Sequence, residues 1–199
     1  MQSTQKKAMR YDRDGDSHYD TLSAFQKSIR GSDPDAAIHY LARLIAAGDL
    51  PSICRRLLVI SAEDIGLAYP QAITIVKACI DSAMQVGFPE AQIPLAQAVI
   101  LLATAPKSNS AVEAIGRAMS DLERIDAGDI PPHLKDSHYG GAENLGHGTE
   151  YKYPHTYENH YVPQQYLPDN IKNAKYYEYG NNKNEHAAKA YWDKIKRGL

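Results

Sequence analysis

Four charged residues lie inside one apolar stretch, P-S-I-C-R-R-L-L-V-I-S-A-E-D-I-G-L-A-Y-P from Pro51 to Pro70, and they raise the first question of chemistry. Arg55, Arg56 and Glu63 fall along one strip of a helix, while Asp64 sits between apolar neighbours, where an unpaired carboxylate is costly. Acid–base catalysis needs a second titratable partner and a cleft. The pattern offers neither, so a structural ion pair or cap is expected and no catalytic residue is assigned. Lys107 stands beside the backbone donors of a helix start and is, with Arg55 and Arg56, a candidate contact for phosphate or DNA. The acidic run from Asp12 to Asp16 fails as a calcium loop, because Ser17 and Ser23 occupy the places of its glycine and its last glutamate. His147, His155 and His160 have no cysteine or Glu-x-x-His helix nearby, so no metal site is expected, and no cofactor-binding residue is assigned.

The elements that must position these residues are helical. Within the Pro51–Pro70 stretch, Cys54, Leu57, Leu58, Ser61, Ala62 and Ile65 follow the repeat of one helical face, with Asp49 as cap and Pro70 as stop. This reads as a central helix. Tyr19, Leu22, Phe25 and Ile29 predict a helix over 17–30, and Ala37, Ile38, Leu41, Leu44 and Ile45 predict another between the Asp33-Pro34 cap and Gly48. Ile73, Val76, Ile80, Ala83 and Met84 mark a fourth helix that stops at Gly87. From Leu95 to Ala105 nearly every residue is apolar, so this helix belongs in the chain's own core or against another subunit; Pro94 kinks it or starts it. Ser110 and Glu113 have capping-box spacing for a sixth helix carrying Val112, Ile115, Met119, Leu122 and Ile125.

The helical period then disappears over 129–183, which holds nine of the 14 tyrosines and seven acidic against five basic residues. So long an irregular segment is an extended wrap burying its rings, or an aromatic platform for single-stranded nucleic acid that lacks a positive groove. From residue 184 a last helix returns, with Ala187, Ala188, Tyr191, Trp192 and Ile195 as its stripe and Lys194, Lys196 and Arg197 at its basic end.

A chain of 199 residues with 43% hydrophobic content can bury a real core, and a formal charge of −2 leaves no global nucleic-acid footprint. Cys54 and Cys79 fall within apolar helical patterns, as small core residues of a reducing compartment do. Without an apolar leader or a run of about 18 apolar residues, a cytoplasmic protein with no membrane partner is expected.

Several runs, in order, resemble one family. They are Tyr19-Asp20-x-Leu22-Ser23-Ala24-Phe25-x-Lys27-Ser28-x-Arg30-Gly31-Ser32, Ala42-Arg43-Leu44-Ile45, Ser61-x-Glu63-Asp64-Ile65-Gly66, Ala105-Pro106-Lys107-Ser108-Asn109 and Tyr151-x-Tyr153-Pro154-His155. The chain resembles, from about Tyr11 onward, the C-terminal region of the replication-associated recombination protein A family of AAA+ ATPases, related to the Werner-helicase-interacting ATPases. The resemblance implies a helical region that assembles tetramers of an ATPase acting at stalled replication forks, with nucleoid association in a bacterium. Fork DNA and replication proteins are then partners of the full-length protein. The chain has no G-x-x-x-x-G-K-[ST] loop, so ATP and Mg²⁺ are expected only with a separate ATPase module, and the chain is a fragment beyond that module or a truncated relative.

The expected protein is therefore all-α and non-catalytic: a flexible polar segment over 1–16, a helical core over 17–128, the tyrosine-rich segment over 129–183 and a C-terminal helix over 184–199. Leu95, Val99, Leu102, Val112, Ile115 and Met119 are the expected subunit contact, because apolarity here exceeds what one small core needs. The alternative is a DNA- or partner-binding module of the same ATPase.

Overall fold

The computed structural model describes residues 15–136, 138, 141, 148 and 150–198. His147 and residues 1–14, which hold most of the polar N-terminal segment and of the acidic run, lie outside them. Among the described residues there are seven α-helices and no strand: α1 (Gly15–Arg30), α2 (Pro34–Ala46), α3 (Leu50–Ile60), α4 (Ala72–Val86), α5 (Gln92–Thr104), α6 (Ser110–Arg124) and α7 (Lys183–Arg197). The chain forms two compact units, the first running to Val112 and including Gly180–His186, the second made of Glu113–Tyr179 and the residues from Ala187. The boundary between these units falls inside α6.

In the first unit, α3 packs on α1, α2, α4 and α5, as a central helix should. Its start follows the sequence: the Ser52 amide donates to the Asp49 carboxylate at 3.2 Å, and Pro51 sits in the first turn. Its end does not. The helix expected to reach Pro70 stops at Ile60, widens into a π-helical turn at Ser61–Ile65 and tightens into a 3₁₀ turn at Gly66–Ala68. Two local causes are visible: the Ser61 hydroxyl donates to the Leu57 carbonyl at 2.7 Å, and Gly66 adopts φ 47°, which a side chain resists. The register of the buried face shifts with it. Ile53, Leu57, Ile60, Ile65 and Ala68 point inward, whereas Cys54 is half-buried and Ala62 exposed.

Helix α5 resolves its two options. Leu95, Val99 and Leu102 are fully buried in the chain's own core with Phe25, Ile29 and Leu44. Pro94 lies in the first turn of α5, where no intrahelical donor is lost, so it starts the helix. Small residues win inward positions on α4, where Ala72, Val76, Cys79, Ile80 and Ala83 are buried and Ile73 and Met84 are exposed. Tyr19 of α1 is likewise exposed, leaving Leu22, Phe25 and Ile29 as its core face.

The second unit is built from most of α6, short 3₁₀ turns at Pro132–Leu134, Pro154–Thr156, Glu158–His160 and Asp169–Ile171, and the rest of α7. Polar clamps dominate it. Arg117 donates to the Tyr176 carbonyl at 2.9 Å, the Tyr176 hydroxyl donates to Asp121 at 2.8 Å, and Asn170 donates to the Asp126 carbonyl at 3.0 Å. The tyrosines divide: Tyr151, Tyr153, Tyr157, Tyr166 and Tyr177 remain 40–55% exposed, while Tyr161, Tyr176 and Tyr179 are half-buried. The α7 stripe is corrected in the same way, since Ala187, Ala188 and Tyr191 face outward while Trp192 meets the Tyr161 ring at a centroid distance of 6.1 Å.

Candidate functional site

Two features invite function, a polar junction in the first unit and an apolar stripe on α6. The junction forms where the π-helical turn meets the turn between α5 and α6. Asp64 is only 6% exposed, and its Oδ1 accepts from the Arg30 guanidinium at 2.6 Å. Its Oδ2 has no hydrogen-bond partner among the described residues. Glu63 accepts from Gln26 at 2.8 Å, and the Gln26 carbonyl oxygen accepts from Arg56 at 3.1 Å, so one ladder joins α1, α3 and the turn. The hydrogen bond to Asp64 raises the Arg30 guanidinium above its already high value, which keeps that guanidinium charged.

Lys107 completes the junction in a way the sequence did not suggest. Its ammonium donates to Ser32 Oγ at 2.9 Å and to the carbonyls of Ala103 and Ala105 at 3.2 and 2.6 Å. It therefore closes the C-terminal end of α5, where a cation is favoured, instead of presenting itself to an anion. Burial lowers its affinity for the proton, and the charge of Asp64 opposes that shift. Of the three candidate phosphate contacts, then, Arg56 and Lys107 hold separate partners inside the unit, and Arg55 is exposed on α3. The structure does not gather them into one phosphate site.

The stripe is the second feature. Ile115, Met119 and Leu122 are 59%, 53% and 65% exposed, flanked by the exposed Val112 and Ile125. The opposite face of the same helix carries Glu113, Arg117, Ser120, Asp121 and Arg124, and with Lys175 and Tyr176 it lines an open cavity of about 450 Å³. These charges largely answer one another, Arg117 lying 3.9 Å from Glu113 and Arg124 3.8 Å from Asp121. In the second unit α6 thus engages Arg117 and Asp121 with its own chain through Tyr176, leaves Glu113 and Arg124 in solvent, and turns its apolar stripe outward, which an ordinary surface helix does not. Of the six expected contact residues, Val112, Ile115 and Met119 lie on this exposed face, while Leu95, Val99 and Leu102 are inside the core and cannot offer a surface.

Residues 31–196 match the family described as MgsA AAA+ ATPase C terminal, and residues 1–30 match the AAA C-terminal domain. The chain belongs to the MgsA AAA+ ATPase C-terminal family. It is 61% identical over 192 residues to replication-associated recombination protein A of Bacillus subtilis, an alignment covering 96% of this chain and 46% of that protein. The Escherichia coli protein of the same name is 39% identical over 174 residues, 86% of this chain and 39% of the relative. ATPase WRNIP1 of Dictyostelium discoideum is 35% identical over 177 residues, 88% of this chain and 20% of the relative. The chain spans less than half the length of these relatives.

In this MgsA C-terminal region, two of the runs that carried the resemblance meet at the junction: the Ser108 amide donates to the Asp64 carbonyl at 2.8 Å. Sequence reasoning missed the third participant, Glu185. It is 1% exposed, accepts from the Gly180 amide and the Asn182 side chain, each at 2.8 Å, and pairs closely with the Ser108 hydroxyl. The signal was present, since Asn182 and Glu185 have N-cap and N3 spacing, and the Glu185 amide donates back to Asn182 at 2.9 Å. A second feature is local: His155 and His160, given no role in the sequence, meet ring to ring in the second unit. Among the described residues no helix is long and apolar enough to cross a membrane.

Proposed function

We propose that this chain is the assembly region of an AAA+ ATPase that works in replication-associated recombination at stalled forks, and that the outward face of α6 is a subunit contact that builds a tetramer. The observation that carries this reading is the inversion of α6: Ile115, Met119 and Leu122 are exposed on a helix whose polar side is already engaged by Tyr176. Covering such side chains contributes on the order of 1.5–3 kcal/mol for each one fully buried. A row of them is what an obligate interface supplies, which resembles a core divided between chains. ATP and Mg²⁺ belong in this reading to the ATPase module of the longer relatives, and fork DNA and replication proteins are partners of that whole protein.

The test is solution mass by light scattering over a wide concentration range. A mass near four times 22.0 kDa that persists on dilution is expected. A monomer at every concentration would overturn the assembly reading for the isolated region.

A second reading, direct DNA contact, is favoured by Lys194, Lys196 and Arg197 in the last turn of α7. It requires binding that weakens steeply with salt through counterion release, and weak binding at about 50 mM salt would remove it.

A further inference from the structure

The second unit brings together two histidines for which the sequence offered no metal-site pattern. His155 lies in the 3₁₀ turn Pro154–Thr156 and His160 closes the next, Glu158–His160. Their Nδ1 atoms are 3.2 Å apart, with ring centroids at 5.0 Å and planes inclined by 60°. The approach depends on unusual backbone. Asn159 and His160 take φ 55° and 54°, so two consecutive residues bearing side chains occupy the left-handed region. Such geometry persists where surrounding contacts impose it. Here Tyr161 is packed beside Trp192 on one side, and His155 lies beside Tyr153 at a centroid distance of 5.2 Å on the other.

We propose that His155 and His160 form a two-imidazole site for a divalent transition-metal ion of the zinc, nickel or copper class. Two metal–nitrogen bonds of about 2.0–2.1 Å at a tetrahedral angle span about 3.3 Å, close to the separation already present between the two Nδ1 atoms. In the neutral imidazoles only one Nδ1 can carry a proton towards the other. An ion replaces that single hydrogen bond with two donor bonds, the protons residing on the outward Nε2 atoms. Both side chains are exposed, so the ion has a path of entry. No group of three or more potential ligands gathers among the described residues, so water fills the remaining positions. The order of affinity follows ligand type, copper above zinc and nickel, with magnesium and calcium excluded by their preference for oxygen.

The experiment is calorimetric titration of the chain with copper, zinc and magnesium salts in a non-chelating buffer. Copper and zinc should each saturate one site per chain, and magnesium should give no heat. His155→Ala and His160→Ala should each weaken copper and zinc at least about tenfold, because chelation becomes a single-point contact, while His39→Ala on α2 should change nothing. Circular dichroism of each variant checks that the helices persist. Binding that survives either substitution, or no saturable site up to about 1 mM metal, overturns the proposal.

Discussion

Asp64 shows how much a single residue can demand of a fold. Its carboxylate is buried, one oxygen is held by Arg30 and the other is bare, so Arg30→Ala leaves a buried charge with little to satisfy it. The expected loss is about 1–3 kcal/mol in urea unfolding, smaller than for a fully enclosed pair because Arg30 itself is partly in solvent. Asp64→Asn should recover part of that loss in the Arg30→Ala background, since it removes the charge but keeps the shape. Gly180 is a second such position. A Cβ there would crowd the Glu185 carboxylate and lie 2.8 Å from Ser108 Oγ and 2.9 Å from Asn182, so Gly180→Ala should lower the melting temperature although Gly180 makes no side-chain contact of its own. Asp49 sets a pH dependence. Burial pushes it up, but its bonds from Ser52 and His18 outweigh burial and hold the carboxyl below its ordinary value. A depressed folded-state value favours folding above the unfolded value and loses that contribution as the pH falls through the folded one. The wild type should therefore lose stability below about pH 4 more steeply than Asp49→Asn, as followed by chemical unfolding across pH.

Helices α5 and α6 carry opposite expectations for the same kind of substitution. Leu102→Ala should cost about 2–5 kcal/mol, and Leu102→Asp should abolish the fold, because the side chain is enclosed within one chain. Met119→Asp should leave helix content and unfolding midpoint nearly unchanged and instead reduce the solution mass. Circular dichroism beside light scattering separates the two. The sequence showed both helices as apolar, but not which one the chain would keep for itself. Period and caps placed α2 and the start of α3 well, because Asp33, Asp49 and the prolines act on their immediate neighbours. The end of α3 was harder to read, because Ser61 and Gly66 sit in an unbroken apolar pattern, and the Ser108 amide that meets the Asp64 carbonyl beyond it comes from a distant turn. The partners of Lys107 were not legible either: a lysine near a helix start shows nothing of the carbonyls of the preceding helix that the fold brings within its reach. His155 and His160 met only once Asn159 and His160 had taken left-handed backbone, a conformation both residue types tolerate better than most but that no local pattern marked here.

At the scale of the molecule, the first unit is completed by residues remote from its other helices. Glu185 closes on Ser108 across 77 positions, and Asn184 donates to the Leu67 carbonyl at 2.8 Å across 117. A chain ending at Tyr179 should still form α1 to α5 but unfold at lower urea concentration, with Ser108 and the 3₁₀ turn stripped of their partners. The order of synthesis gives this closure a further meaning. Everything in the first unit up to Val112 leaves the ribosome well before Gly180, and at roughly 5–20 residues per second the interval is roughly 3–14 s. During that time the junction waits without its last carboxylate while α6 has already emerged with its apolar face bare. Contact between neighbouring nascent chains on one messenger can therefore begin before either chain has sealed its first unit.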